Sequence, residues 1–362
     1  MRCGREGADG TVAVVERDGK RRIKLNNWYA LGGSGALRME QIQTHLPMHL
    51  HPDPKTVFYL GMGSGITAGT VLNYPVDEVT VTELSAEVIE ASARYFGEYS
   101  NHFHEHAAVN VVHEDGRNYL AGTRASFDLI ISDLFIPWRA GVALLYTQEH
   151  FERARERLEA NGLFVQWIPL YQISERELKI VANTMAQVFP RVSLWRGDFY
   201  AEKPIMALVG HTDTEALSVS TRLIERSRHD LTAFRSGTAE QIPLAAYYLG
   251  SLDSNSEWIE GAAVNTDDLP VIEYLAPESH RAERAGLVEW FTGERMLAFM
   301  QHLQQTTEPT GDPYLRNLTP EMHSAIYSGL FFHIAAVARK TDNLDASKDA
   351  SAVGRALLTG AE

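Results

Sequence analysis

The sequence predicts an α/β protein: a mostly parallel sheet, with a β-hairpin region ahead of it and a mostly helical region behind it. Three observations carry this. Strand-like and helix-like patterns alternate from about residue 51 to 212, which implies right-handed crossovers between parallel strands. A glycine-rich pentapeptide, Gly61-Met62-Gly63-Ser64-Gly65, stands between a predicted strand and a predicted helix. Near the start, two alternating apolar/polar segments flank the turn dipeptide Asp18-Gly19.

The elements follow in chain order. Residues 1–50 form the hairpin region: Thr11 to Glu16 and Arg22 to Leu25 alternate, Gly32 to Gly35 reads as a flexible turn, and Leu37 to Leu46 as a short helix. In the second region, residues 51–212, Thr56 to Leu60 is a compact apolar strand and Ser64 to Leu72 a helix. Glu78 to Glu83 is a strand, and Ala86 to Phe96 is amphipathic with Val88, Ile89 and Ala93 on one side. Val109 to His113 is the next strand, and Phe127 to Ser132 is apolar enough to be buried on both faces. Leu144 to Leu158 reads as a charged helix, punctuated by Asn161-Gly162 before a strand from Leu163 to Ile168. Ser174 and Glu177 have the spacing of a capping box. Val192 to Trp195 and Ile205 to Val209 complete the series. The third region, residues 213–362, shows helical stretches at Thr221 to Ser227, Ala282 to Gln305 and Pro320 to Lys340, with Asn343 to Ala352 fraying.

The composition narrows the function. Net charge is −14 over 362 residues, which argues against a nucleic-acid partner, since phosphate binding needs a basic surface. An acidic field also concentrates cationic substrates such as polyamines, although solubility alone accounts for acidity more simply. The longest apolar run, Gly329 to Ala338, is too short to span a bilayer, so no membrane-spanning segment is expected. Met1 to Asp9 lacks the apolar core of a signal peptide. Cys3 is the sole cysteine, which excludes an internal disulfide and a thiolate metal cluster and fits a cytoplasmic setting.

The chemistry concentrates on the strand ends. Gly61, Gly63 and Gly65 let the backbone turn sharply and approach a ligand, with Ser64 among them. Glu83 ends the next strand, eighteen positions after Gly65, where a carboxylate can accept from both hydroxyls of a ribose. The bland alternative is a tight turn with a solvated strand end. Asp115-Gly116 follows the third strand. Asp115 can accept from an adenine amino group, with Gly116 giving close backbone access, or can simply cap the helix Arg117 to Ala121. Asp133 ends the fourth strand, where a carboxylate can aim an amine and take its proton, or stabilise a sulfonium cation; Phe135 and Trp138 can wall off water.

At these residues the sequence resembles the spermidine synthase (polyamine aminopropyltransferase) family, most of all the soluble domain of bacterial proteins that fuse it to transporter-like membrane segments. The likeness covers about residues 10–210, with Thr44-His45-Leu46-Pro47, Leu60 to Gly65 and the set Leu144, Tyr146, Thr147 and Phe151 as landmarks, and returns at Asn265 to Tyr274. It implies a class I S-adenosylmethionine methyltransferase-like (Rossmann-like) sheet with an N-terminal β-hairpin domain, and a mild expectation of a homodimer. It implies decarboxylated S-adenosylmethionine as co-substrate, methylthioadenosine as by-product, no metal, and Asp133 as the catalytic aspartate. Two departures stand out. Ile136 replaces a second aspartate that holds the distal amine of the acceptor, and Met39-Glu40 replaces a Tyr-Gln pair. An isoleucine cannot accept from an ammonium group, so the resemblance does not carry over putrescine as acceptor.

Three functions stay open on the sequence. The first is aminopropyl transfer to an amine, with Glu40, Gln166, Tyr171, Asp267 or Asp268 as substitute contacts to the amine. The second is chemistry on intact S-adenosylmethionine, either methyl transfer or internal cleavage, with Arg38, Arg117 or Arg139 holding its carboxylate. The third is non-catalytic binding of an adenosyl metabolite. His102, His104 and His106 alternate, but in a loop between helix and strand without an acidic pair at metal spacing, which argues against a metal site.

Overall fold

The structure, a computed structural model, describes residues 3–7, 10–26, 29–213, 244–306, 312, 315 and 320–359. The expected helix at Thr221 to Ser227 lies outside the described residues. The chain divides into two compact units: Met1–Asp133 with Glu156–Val165, and Leu134–Arg155 with Gln166–Glu362.

The first unit opens with a four-stranded antiparallel sheet: β1 (Cys3–Gly7), β2 (Gly10–Arg17), β3 (Lys20–Leu25) and β4 (Tyr29–Gly33), in that order. The hairpin β2–β3 forms as expected, and Asp18 and Gly19 take the positive φ of a tight turn, 52° and 72°. Two more strands flank it. Gly32 and Gly33, read as a flexible turn, instead end β4, and Ser34–Ala36 is a 3₁₀ turn. Alternation is too short in these flanks to register as strands, and they are held by pairing to β2 and β3. Helix α1 (Leu37–Leu50) runs four residues past its expected end and keeps Pro47 inside.

The parallel core of this unit is β5 (Thr56–Leu60), β6 (Glu78–Glu83), β7 (Val109–His113) and β8 (Phe127–Ser132). Strand β5 lies between β8 and β6, with β7 outside β6, all parallel. Val57, Phe58, Val79, Val81, Leu129, Ile130 and Ile131 are buried completely, which is why β5 and β8 read as apolar runs. Helices α2 (Ile66–Thr70), α3 (Ala86–Tyr95) and α4 (Gly116–Gly122) supply the crossovers. The N-cap Ser85 accepts from Val88 N–H, and Asp115 from Asn118 N–H at 2.9 Å.

Helix α5 (Gln148–Glu156) is shorter than expected at both ends: a 3₁₀ stretch, Val142–Tyr146, precedes it, and β9 (Leu158–Pro169) starts where it was expected to finish. Asn161, at φ 65°, marks an irregularity inside that strand rather than a break before it. Strand β9 contributes residues to both units.

In the second unit, α6 (Glu175–Val188) carries the expected capping box: Ser174 N–H donates to Glu177 at 2.9 Å, and the serine hydroxyl donates to the same carboxylate. Strand β10 (Arg191–Arg196) pairs antiparallel with β11 (Ile205–His211) and with β12 (Tyr248–Leu252). The third region is therefore not wholly helical. Its helices are α7 (Val271–Arg284), α8 (Gly293–Thr306), α9 (Pro320–Lys340) and α10 (Leu344–Thr359). The expected stretch from Ala282 to Gln305 is broken at Gly286 and Gly293, which hold φ of 72° and 52°. The segment from Asn343 to Ala352 does not fray: it enters α10, where Ser347 donates to Ala335 O at 2.9 Å and Ala350 is buried.

Asn265 ties this unit together around the segment that follows β8. Its amide donates to Ala143 O at 2.9 Å and accepts from Ile272 N–H at 3.2 Å, while its backbone N–H donates to Thr184 Oγ1 and its carbonyl accepts from Gln148 N–H. The side chain is fully buried. Asn265→Ala strands a buried carbonyl and a buried N–H together, each costing about 1–3 kcal/mol. Urea unfolding of the full chain should show a loss of about 2–6 kcal/mol with an unchanged slope.

Candidate active site

The glycine loop joins β5 to α2 at the carboxyl end of the first unit's parallel strands. Gly61, Gly63 and Gly65 all have positive φ, at 88°, 53° and 79°. At Gly63 a Cβ would lie 2.3 Å from Leu31 O, and at Gly65 2.4 Å from the Phe103 ring and 2.7 Å from Ser92 Oγ. Both dihedrals and packing therefore demand glycine. The crowding comes from the protein side of the loop, so these glycines shape the turn as well as clear a path to it.

Glu83 faces the loop. Its Oε2 accepts from Met62 N–H and Gly63 N–H, each at 3.2 Å, and Oε1 accepts from Ser85 N–H at 3.1 Å. Burial pushes its carboxyl above the usual range, and the backbone donors pull it back. The acid and the loop are thus brought together as the spacing expected.

Asp115 is half-buried and caps α4. At Gly116 a Cβ would meet Leu60 at 2.5 Å and Thr82 Oγ1 at 2.7 Å. Gly116 accordingly lets α4 sit close over the tips of β5 and β6, a packing reason distinct from the access to ligand expected of it.

Asp133 follows β8 immediately, and its N–H donates to Leu60 O at 3.1 Å, which places it at the tip of β5 as well. Its charge acts on two buried groups. One is Tyr59, whose hydroxyl pairs with Thr44 Oγ1 at 2.9 Å and is pushed up first by burial and then, more weakly, by Asp133. The other is Glu40, 7% exposed on α1. Glu40 Oε1 accepts from Gly33 N–H at 2.8 Å, and Oε2 receives the Ser64 hydroxyl. Burial, reinforced by Asp133, raises its pKa to about 7 despite those two donors. A carboxyl from α1, the loop serine and the β8-tip aspartate therefore share one corner of the unit.

A second contact supports the loop from behind, and sequence reasoning missed it. Ser92 Oγ–H donates to Ser64 O at 2.9 Å, and His104 Nε2 lies 3.0 Å from Ser92 Oγ. Since that hydroxyl has spent its proton, His104 must carry its own on Nε2 and donate. Burial lowers the pKa of His104, in keeping with a neutral ring. His102 lies near Glu105 at 4.0 Å, and His106 Nδ1 accepts from Ala108 N–H. Among the described residues, no group of three or more His, Cys, Asp or Glu is arranged to hold a metal ion.

The remaining candidates belong to the second unit. Gln166 is fully buried on β9, and its amide donates to Trp167 O at 3.1 Å. Tyr171 sits in a 3₁₀ turn, its hydroxyl pushed up by burial, with Lys203 5.9 Å over its ring. Asp267 and Asp268 are exposed, and Asp267 N–H donates to Glu149 at 2.9 Å. Asn265, quoted in the sequence only as part of a match, has the larger structural role.

The segment after Asp133 is held within the second unit by aromatic packing. Tyr146 OH donates to Phe135 O, and Gly141 N–H to Glu273, both at 2.9 Å. Trp138 stacks on His280 at 4.2 Å and 10°, His280 stacks in turn on Trp290, and Trp138 Nε1–H donates to Gln172 at 3.1 Å. Ile136 is buried. Of the arginines considered for a carboxylate, Arg38 is exposed, and Arg117 and Arg139 are half-buried.

Part of the chain is similar to known proteins. Residues 37–196 match the Spermine/spermidine synthase domain. The polyamine aminopropyltransferase of Desulforudis audaxviator is 37% identical over 148 residues, covering 41% of this chain and 53% of that protein. That of Buchnera aphidicola is 28% identical over 150 residues, covering 41% and 52%. The chain spans about half the length of the curated relatives it matches. A probable spermidine synthase structure from Corynebacterium glutamicum shares the fold at a TM-score of 0.54 and 22% identity, covering 74% of this chain and 96% of that one. Over residues 37–196, which hold the glycine loop and the strand-tip acids, the chain is thus similar to the spermine/spermidine synthase family.

Proposed function

We propose that the chain moves an aminopropyl group from decarboxylated S-adenosylmethionine to an amine and releases methylthioadenosine. The observation that carries this is the gathering of the glycine loop, Glu83 and Asp133 at the tips of β5, β6 and β8. In this reading Glu83 exchanges its backbone donors for ribose hydroxyls, while Asp115 and Gly116 border the adenine. Asp133 orients the acceptor amine. The amine lone pair attacks the carbon next to sulfur, the C–S bond breaks with its electrons going to sulfur, and a neutral thioether leaves. The new ammonium passes its proton to Asp133 and on to water. Charge at sulfur already activates the carbon, so the protein mainly aligns the amine and excludes water.

Intact S-adenosylmethionine fits less well, because its carboxylate would enter a corner already holding Asp133 and Glu40. The acceptor is a primary amine of unassigned length: Ile136 offers no carboxylate to a distal ammonium. Gln166, Tyr171, Asp267 and Asp268 stay candidates for its far end. The same reading includes a cytoplasmic setting and a homodimer. Among the described residues no helix is long and apolar enough to cross a membrane.

Incubation with each donor and a panel of amines, with products identified by mass spectrometry, tests the reaction. Aminopropylated amine and methylthioadenosine in equal amounts are expected. Methylated product, or methylthioadenosine with homoserine lactone from the intact donor, would replace the proposal. Asp133→Ala should lower turnover about 10²–10⁴-fold while methylthioadenosine binds within a few-fold of normal, as measured by calorimetry. Glu83→Gln should weaken methylthioadenosine binding about 10–100-fold, because one ribose hydroxyl loses its acceptor.

A further inference from the structure

Glu40 is a buried carboxyl held in an unusual way. Among the described residues its hydrogen-bond partners are Gly33 N–H, at 2.8 Å, and the Ser64 hydroxyl, neither of them a cation. The second contact is reversible in sense. Ser64 Oγ already takes Ile66 N–H at 3.3 Å, so its own proton is free to point at Glu40 when the acid is charged. When the acid is protonated, the same oxygen can accept from it. The loop geometry therefore survives in either state. The groups acting on Glu40 are few: Ser64 and Gly33 favour charge, while burial and Asp133 oppose it.

We infer that Glu40 is a proton-coupled receptor for positive charge: it holds a proton in the empty site and releases it when the cationic end of the donor arrives beside Asp133. This rests on the adenosyl reading above and deepens it. Burial keeps the Glu40 carboxyl neutral, and repulsion from the charge of half-buried Asp133 adds to it. A sulfonium with an alkylammonium tail removes that repulsion, and the proton leaves Glu40 Oε2 for solvent. Ser64 then turns its hydroxyl toward the carboxylate, and the glycine loop stays put. The device selects cationic over neutral nucleosides, and does so more strongly as pH rises.

Calorimetry in two buffers of different ionisation enthalpy counts the protons released on binding. At pH 6 the wild-type chain should release close to one proton on binding decarboxylated S-adenosylmethionine, and well under half a proton on binding neutral methylthioadenosine. Its dissociation constant for the cationic donor should rise up to about tenfold per pH unit below 7. In Glu40→Gln, which keeps an acceptor for Gly33 N–H, proton release and pH dependence should vanish. The preference for the cation should then fall to that of the wild type at low pH. Linkage adds an independent reading. Glu40 titrates near 7 in the fold against an ordinary value of 4.5, so its neutral form stabilises the chain at low pH and that contribution fades as pH rises between these values. The thermal midpoint of the ligand-free wild type should accordingly drop more between pH 5 and pH 8 than that of Glu40→Gln. Equal proton release in the two proteins, or none from a wild type that binds the cation, overturns the inference. A wild type that binds neither nucleoside overturns the adenosyl reading itself, and this inference with it.

Discussion

The loop that carries the site depends on the absence of a few side-chain carbons. Gly63 is pressed against a carbonyl of β4 and Gly65 against the Phe103 ring, and each has a backbone that disfavours an L side chain. Only on such a tight turn can Met62 and Gly63 aim their N–H groups back at Glu83. The remaining contacts secure that turn from either side: Glu40 on Ser64 from α1, and Ser92 on the Ser64 carbonyl from α3. A loop locked from both sides loses little conformational freedom when a ligand arrives.

Much of the sheet could be read from the chain because β5, β6 and β8 are buried on both faces and are rich in β-branched and aromatic residues. Strands β6, β7 and β8 have the bounds that their residues implied. Glu83 and Asp133 were legible for the same reason, since a strand that ends in a carboxylate delivers it to a known edge of the sheet. Elements whose identity rests on partners were not. Strand β4 contains two glycines and pairs only because β3 lies beside it; β12 follows a long polar stretch; and α10 looked too polar to hold until α9 was packed against it. Charge pattern alone extended α5 too far at both ends, because the pattern carries no information on where β9 begins.

The site's acids differ in how visible they were. Glu40 stood out only as a departure from a family pattern, and its meaning lies in burial and in the neighbouring charge, which no spacing reveals. His104 looks in the sequence like one of three alternating loop imidazoles; its place behind Ser92 depends on that loop packing onto α3. Asp267 and Asp268 drew attention as carboxylates, yet the neighbouring Asn265, a neutral amide, organises that segment through four hydrogen bonds. Composition suggests chemistry more readily than architecture, and the two point to different residues.

The stack of Trp138, His280 and Trp290 gives the segment after Asp133 a built-in optical reporter. An imidazole stacked between two indoles quenches their emission when it is protonated. Any rearrangement that lifts Trp138 from His280 would change the colour and intensity of that emission without a label. The segment beside the proposed chemistry can therefore be followed in real time through light absorbed by its own side chains.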